Sequence, residues 1–75
     1  MVMTLSELYL KARKAFLAQE DAQSASLLAR NLLCHATGKT QEQVIAGRDL
    51  YVQDDVCQQM EQMIQRIKRG EVKNA

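Results

Sequence analysis

The clearest helical pattern in the chain is residues 54–70, DDVCQQMEQMIQRIKRG. Its large apolar side chains recur every three or four residues, which is the spacing of one face of an α-helix. They are Val56, Met60, Met63, Ile64 and Ile67. Two aspartates precede this stripe and three basic residues lie in its last turn, so negative charge is near the start and positive charge near the end, as the helix dipole favours. Gly70 follows as a stop signal. The stretch therefore predicts an amphipathic helix whose buried face needs further helices to pack against.

Three more helices are predicted upstream of this stripe. Helical spacing covers residues 4–18 and 22–37, and a short helix of about two turns begins at Thr40. Residues 4–7 and 40–43 have the capping-box spacing that starts a helix, and each of the three glycines follows a predicted helix end. Because no strand pattern appears, the sequence predicts an all-α fold with short glycine-capped connections.

The predicted fold is a small bundle of four helices, or of five if the connector at residues 48–53 is helical. In that connector, Leu50, Tyr51 and Val52 are predicted to fold back onto the core. The core itself is predicted from the large apolar side chains on the helical stripes. It contains Leu8, Phe16, Leu28, Leu32, Leu33, Val44, Met60, Ile64 and Ile67. The length of 75 residues suits one small domain with a thin core.

Composition excludes several classes of protein. The net charge of +1 gives no general attraction to nucleic acid or to an anionic membrane. A membrane-spanning helix needs about 20 consecutive apolar residues, and the chain has no such run. The first residues lack the basic and apolar regions of a secretory signal, and Cys34 and Cys57 are too few for a disulfide framework. We therefore expect a cytoplasmic protein with two reduced thiols and no membrane partner.

Cys34, His35 and Cys57 are the candidates for metal binding or nucleophilic catalysis. Structural zinc sites need paired ligands at short loop spacings, and no such pairs occur here. Cys34 and His35 are neighbours on one helix, so their side chains diverge by about 100°. We expect no metal site and no catalytic residue, and we expect His35 to be a partly buried helix residue with a hydrogen bond.

Three stretches of the chain carry a resemblance to a known family. They are residues 5–17, LSELYLKARKAFL; residues 28–38, LARNLLCHATG; and residues 62–71, QMIQRIKRGE. Together they resemble the N-terminal helical domain of the release-factor glutamine methyltransferases, the HemK/PrmC family. The central stretch is similar to the family's acidic-Ala-Arg-Leu-Leu-Leu-x-His-x-Leu-Gly segment. Leu28, Asn31 and Thr37 depart from that segment, and Val72 stands where the family has a proline.

The resemblance implies substrate recognition rather than catalysis. In that family the helical domain helps engage a peptide-chain release factor, and a separate Rossmann-like domain with an Asn-Pro-Pro-Tyr motif methylates a glutamine side chain using S-adenosylmethionine. Because this chain has no proline, we expect the catalytic domain, which the family carries in cis, to be absent. No catalytic or cofactor-binding residue can then be carried over. The full-length enzyme implied by the resemblance is a protein-(glutamine-N5) methyltransferase that uses S-adenosylmethionine, and residues 1–75 are expected to form its single helical recognition domain, with no cofactor of its own.

Two other functions stay open on the sequence, a free-standing helical protein-interaction module and a small DNA-binding regulator. The helices joined by Gly38 and Lys39 invite a helix-turn-helix interpretation, but residues 41–46 hold no arginine or lysine for DNA phosphates, which argues against nucleic acid as a partner. The candidate partner-binding residues are Arg66, Lys68 and Arg69. Three basic groups within one turn offer contacts to an acidic partner, although a solvated helix end would have the same composition.

Overall fold

The computed structural model describes residues 2–70. It contains four α-helices, and their order along the chain follows the predicted one. They are α1 (Leu5–Phe16), α2 (Ala22–Thr37), α3 (Gln41–Ala46) and α4 (Asp54–Lys68). Within these residues the extended backbone is limited to an isolated antiparallel bridge between Thr4 and Tyr51. The prediction of a small all-α bundle is confirmed, and the connector between α3 and α4 is not a fifth helix.

Side-chain caps start the first three helices, and the capping-box spacing predicts those of α1 and α3. At α1, the Thr4 amide donates to the Glu7 carboxylate at 2.9 Å while the Glu7 amide donates to the Thr4 hydroxyl at 3.1 Å. The same reciprocal pair forms between Thr40 and Gln43 at α3. Asp21 caps α2 by accepting from the Ser24 amide at 2.7 Å. These bonds satisfy amides that a helix N-terminus otherwise leaves without partners.

Gly38 and Gly47 end α2 and α3 for two different reasons. Gly38 terminates α2 with a φ of 72°, a left-handed conformation that a side chain would strain. Gly47 follows α3 at an ordinary negative φ, and there the constraint is space. A Cβ atom at Gly47 would lie 3.0 Å from the Leu50 side chain and 3.2 Å from the Gln43 carbonyl oxygen. Only at α1 does the helix stop early, at Phe16 rather than residue 18, because residues 17–19 form a tight turn.

The core lies where α1 packs against both α2 and α4, and α3 packs against α2. Its buried apolar side chains come from all four helices and the connector. They are Leu5, Leu8, Ala12, Ala15, Phe16, Ala25, Ala29, Leu33, Val44, Val52, Cys57, Met60, Ile64 and Ile67. Seven of the nine predicted core residues belong to this set. None of the helices within residues 2–70 is long and apolar enough to cross a membrane.

Leu28 and Leu32 correct the predicted core. Both are only partly buried and pack against its edge. The buried face of α2 is instead Ala25, Ala29 and Leu33, spaced four residues apart. Small alanine side chains allow α1 to approach α2 closely along this row, which turns the neighbouring leucines toward the flank.

The connector is a second correction. Its backbone pairs with the chain ahead of α1, where the Val52 amide donates to the Met3 carbonyl at 2.8 Å and the Leu5 amide donates to the Leu50 carbonyl at 3.0 Å. Val52 is buried as predicted, but Leu50 and Tyr51 are 60% and 74% exposed. Neighbouring residues of an extended segment point to opposite sides, so burial of Val52 leaves Tyr51 outside.

Candidate protein-binding surface

The first and last helices run parallel, which brings their C-terminal ends together. Lys11 of α1 forms an ion pair with Glu61 of α4 halfway along. Beyond α1, the Gln19 side-chain amide donates to the Ile67 carbonyl at 2.9 Å. Each helix carries basic residues in its last turn, where they favour the negative end of the helix dipole. One end of the bundle is therefore rich in positive charge.

The three predicted partner-binding residues, Arg66, Lys68 and Arg69, all lie exposed at this end. Arg66 and Arg69 are three residues apart and share one face of α4. Lys68 lies about 100° around the helix from Arg69 and points toward α1. There it lines a shallow hollow of about 350 Å³ together with Lys14 and Ala18. The predicted cluster thus covers two faces of α4, and we call it, with Lys14, the basic end surface.

Lys14 is the residue of this surface that the predicted set of Arg66, Lys68 and Arg69 does not include. Its place on the polar side of α1 is visible in the helical spacing. Its closeness to Lys68 is not, because the two residues are far apart in sequence and meet only through the parallel packing of α1 and α4. The two acidic residues of the first turn of α4, Asp54 and Asp55, lie at the opposite end of that helix.

The thiols and the imidazole are not gathered into a reactive site. Cys57 is buried with its sulfur 3.6 Å from the Val52 carbonyl oxygen, and Cys34 is half-buried on α2; neither forms a disulfide. His35 is exposed, so the prediction of a partly buried imidazole was wrong. The cause is the alanine row of α2, which places His35 on the solvent side. Across residues 2–70, no group of three or more His, Cys, Asp or Glu side chains is placed to hold a metal ion.

Two carboxylates that cap helices, those of Glu7 and Asp21, have lowered pKa values. Hydrogen bonding to the backbone amide of Thr4, and secondly to its side chain, holds the pKa of Glu7 below its usual value. The Ser24 amide does the same for the pKa of Asp21. In both cases the charged carboxylate is the form that accepts the amide hydrogen bond, so ionisation is favoured. These groups stabilise helix starts, and neither belongs to the basic end surface.

The fold defines a small all-α bundle that carries basic residues at one end. Comparison with protein families identifies the class of domain: the family model described as the PrmC N-terminal domain matches residues 8–71. The chain belongs to this family. No curated protein and no solved structure matches the chain. The resemblance drawn from residues 5–17, 28–38 and 62–71 is therefore confirmed at the level of the family.

Proposed function

We propose that this chain helps a protein-(glutamine-N5) methyltransferase recognise peptide-chain release factors. The observation that carries the proposal is the match to the PrmC N-terminal domain over residues 8–71, which takes in all four helices apart from the first turn of α1. Methyl transfer from S-adenosylmethionine would be the work of a separate catalytic domain. This chain would supply part of the contact that brings the release factor to that domain.

The basic end surface is the proposed contact region. Exposed charges at the end of a rigid bundle attract an acidic partner and orient it before close contact forms. Such charges affect the association rate and the salt dependence more than the final affinity. The chain alone should bind weakly, because dividing a contact between two tethered domains gains affinity only when both are engaged.

The proposal is tested by measuring binding to an immobilised class 1 release factor by biolayer interferometry. We expect weak binding that falls further when salt is raised from about 50 to about 300 mM, since screening shortens the range of exposed charges. The double variant Arg66→Glu/Arg69→Glu should weaken binding about five- to tenfold, the effect of reversing two exposed charges.

Single variants provide a charge-matched control. Arg69→Glu and Lys39→Glu change the net charge equally, but Lys39 lies beside Leu5 and Val56 at the other end of the bundle. We expect only Arg69→Glu to weaken binding. Equal losses for both variants would show a general charge effect and would reject the basic end surface. Absence of any binding by the folded chain would reject release-factor recognition, and would favour a free-standing interaction module with another partner.

A further inference from the structure

A second charged feature lies at the opposite end of the bundle from the basic end surface. It is a pocket of about 210 Å³ where α1, α2 and α3 meet. Its polar lining comes from Ser6 and Tyr9 of α1, Arg30 of α2 and Arg48, which lies just after α3. Val44 and Ile45 provide an apolar lining. Val44 is buried, whereas Ile45 is 53% exposed and stands at the rim.

The pocket holds two guanidinium groups and no carboxylate. Arg30 is partly buried and forms no ion pair within residues 2–70. Arg48 donates one long hydrogen bond, 3.4 Å, to the Ile45 carbonyl oxygen. The nearest acidic residue along α1 is Glu7, and its carboxylate is engaged by the Thr4 amide. Arg30, which is partly buried, and Arg48, which is exposed, therefore place positive charge beside an apolar lining.

Both arginines are held by rigid backbone. Arg30 is in the middle of α2, the longest helix. Arg48 follows the end of α3, and its carbonyl oxygen accepts from the Ser6 amide at 3.0 Å, which ties this turn to α1. A guanidinium group suits a planar carboxylate, which it binds through two parallel hydrogen bonds.

We propose that this pocket binds a glutamate or aspartate side chain, together with an apolar neighbour, presented by a protein partner. The carboxylate lies between Arg30 and Arg48, with the hydroxyl groups of Ser6 and Tyr9 as further donors. The apolar neighbour packs on Ile45 at the rim. An acidic peptide with an apolar neighbour fits this pocket better than a free inorganic anion because Val44 and Ile45 give the pocket an apolar lining. The proposal is independent of the release-factor assignment, since it specifies the chemistry of the bound segment and not the protein that carries it.

The test is an NMR titration of the ¹⁵N-labelled full chain with two blocked peptides, acetyl-Leu-Glu-Leu-amide and acetyl-Leu-Gln-Leu-amide. We expect the glutamate peptide to shift amide signals around Ser6, Arg30 and Ile45, with a dissociation constant of about 1 mM, typical of a single charged anchor. The glutamine peptide has the same shape without the charge and should bind at least about tenfold more weakly.

Variants of the two arginines complete the test. Arg30→Gln and Arg48→Gln should each weaken glutamate-peptide binding at least about fivefold, and Lys39→Gln, an exposed charge that does not line this pocket, should leave it unchanged. Arg48→Gln is the safer variant because Arg48 is exposed and its loss does not threaten folding. Equal binding of both peptides, or shifts confined to residues 66–69, would overturn the proposal. Inorganic phosphate that shifts the same signals as tightly as the glutamate peptide would overturn the apolar part of it.

Discussion

Leu32 and Leu33 offer a matched pair of substitutions because they are neighbours on α2 with different surroundings. Leu33 is fully buried, at 0% exposure, and Leu32 packs on the edge of the core. Leucine-to-alanine substitution removes three carbon groups, worth about 0.8 kcal/mol each when fully buried, and a cavity left in a core adds to that loss. Leu33→Ala should therefore cost about 3–4 kcal/mol. Leu32→Ala should cost roughly 1–1.5 kcal/mol, because about half of that burial is lost and no closed cavity forms.

These losses are large for a chain of this size. At roughly 0.05–0.15 kcal/mol per residue, 75 residues give a free energy of unfolding of about 4–11 kcal/mol. Urea denaturation followed by circular dichroism at 222 nm measures both variants, provided that the denaturant slopes match. Ile64→Ala, at 0% exposure on α4, serves as a second buried reference. A Leu32→Ala variant that loses as much stability as Leu33→Ala would refute the assignment of the alanine row as the buried face of α2.

Three further outcomes follow from local features. Gly38→Ala should destabilise the chain by about 1–2 kcal/mol in the same urea assay through backbone strain alone, since φ is 72° and no atom lies within 4 Å of the added Cβ; no loss would contradict the left-handed cap. The pKa values of Glu7 and Asp21 are lowered in the folded chain, so their stabilising effect is present above the unfolded-state pKa and is lost as pH falls through the folded-state pKa. The melting temperature should therefore drop on acidification below about pH 4. The double variant Glu7→Gln/Asp21→Asn should flatten this fall, and an unaltered pH profile would count against the caps. Calorimetric titration with S-adenosylmethionine should give no saturable heat, because residues 2–70 contain no strand, glycine loop and helix unit of the kind that binds such cofactors in Rossmann folds; stoichiometric heat at micromolar ligand would reveal a missed site.

The helices were predictable because the signals that set them are local. Thr4 and Glu7, or Thr40 and Gln43, are three residues apart, so a capping box can be seen directly in the sequence. The bounds of α2 match the predicted 22–37 because Asp21 and Gly38 mark its two ends. The family could be recognised for the same reason, since its motifs are contiguous helical segments.

What the sequence could not supply depends on contacts between distant segments. The broad apolar face of α2 is compatible with burial of Leu28 and Leu32 or of the alanine row, and only the position of α1 decides between them. The prediction that Tyr51 is buried was wrong because no local pattern encodes the pairing of the connector with Met3, which sets the side on which Tyr51 lies. The closeness of Lys14 to Lys68 also depends on tertiary packing, whereas Arg66, Lys68 and Arg69 stand out in the sequence as neighbours.

The most direct test of the central claim is a map of the amide signals of the ¹⁵N-labelled chain that move when its cognate class 1 release factor is added. We predict shifts concentrated at the C-terminal ends of α1 and α4, around Lys14, Arg66 and Lys68, that shrink at high salt and in the Arg66→Glu/Arg69→Glu variant. Shifts on another face would keep the partner and reject the basic end surface. An unchanged spectrum of the folded chain, with release factor present at a few hundred micromolar, would contradict the proposal that this chain takes part in release-factor recognition.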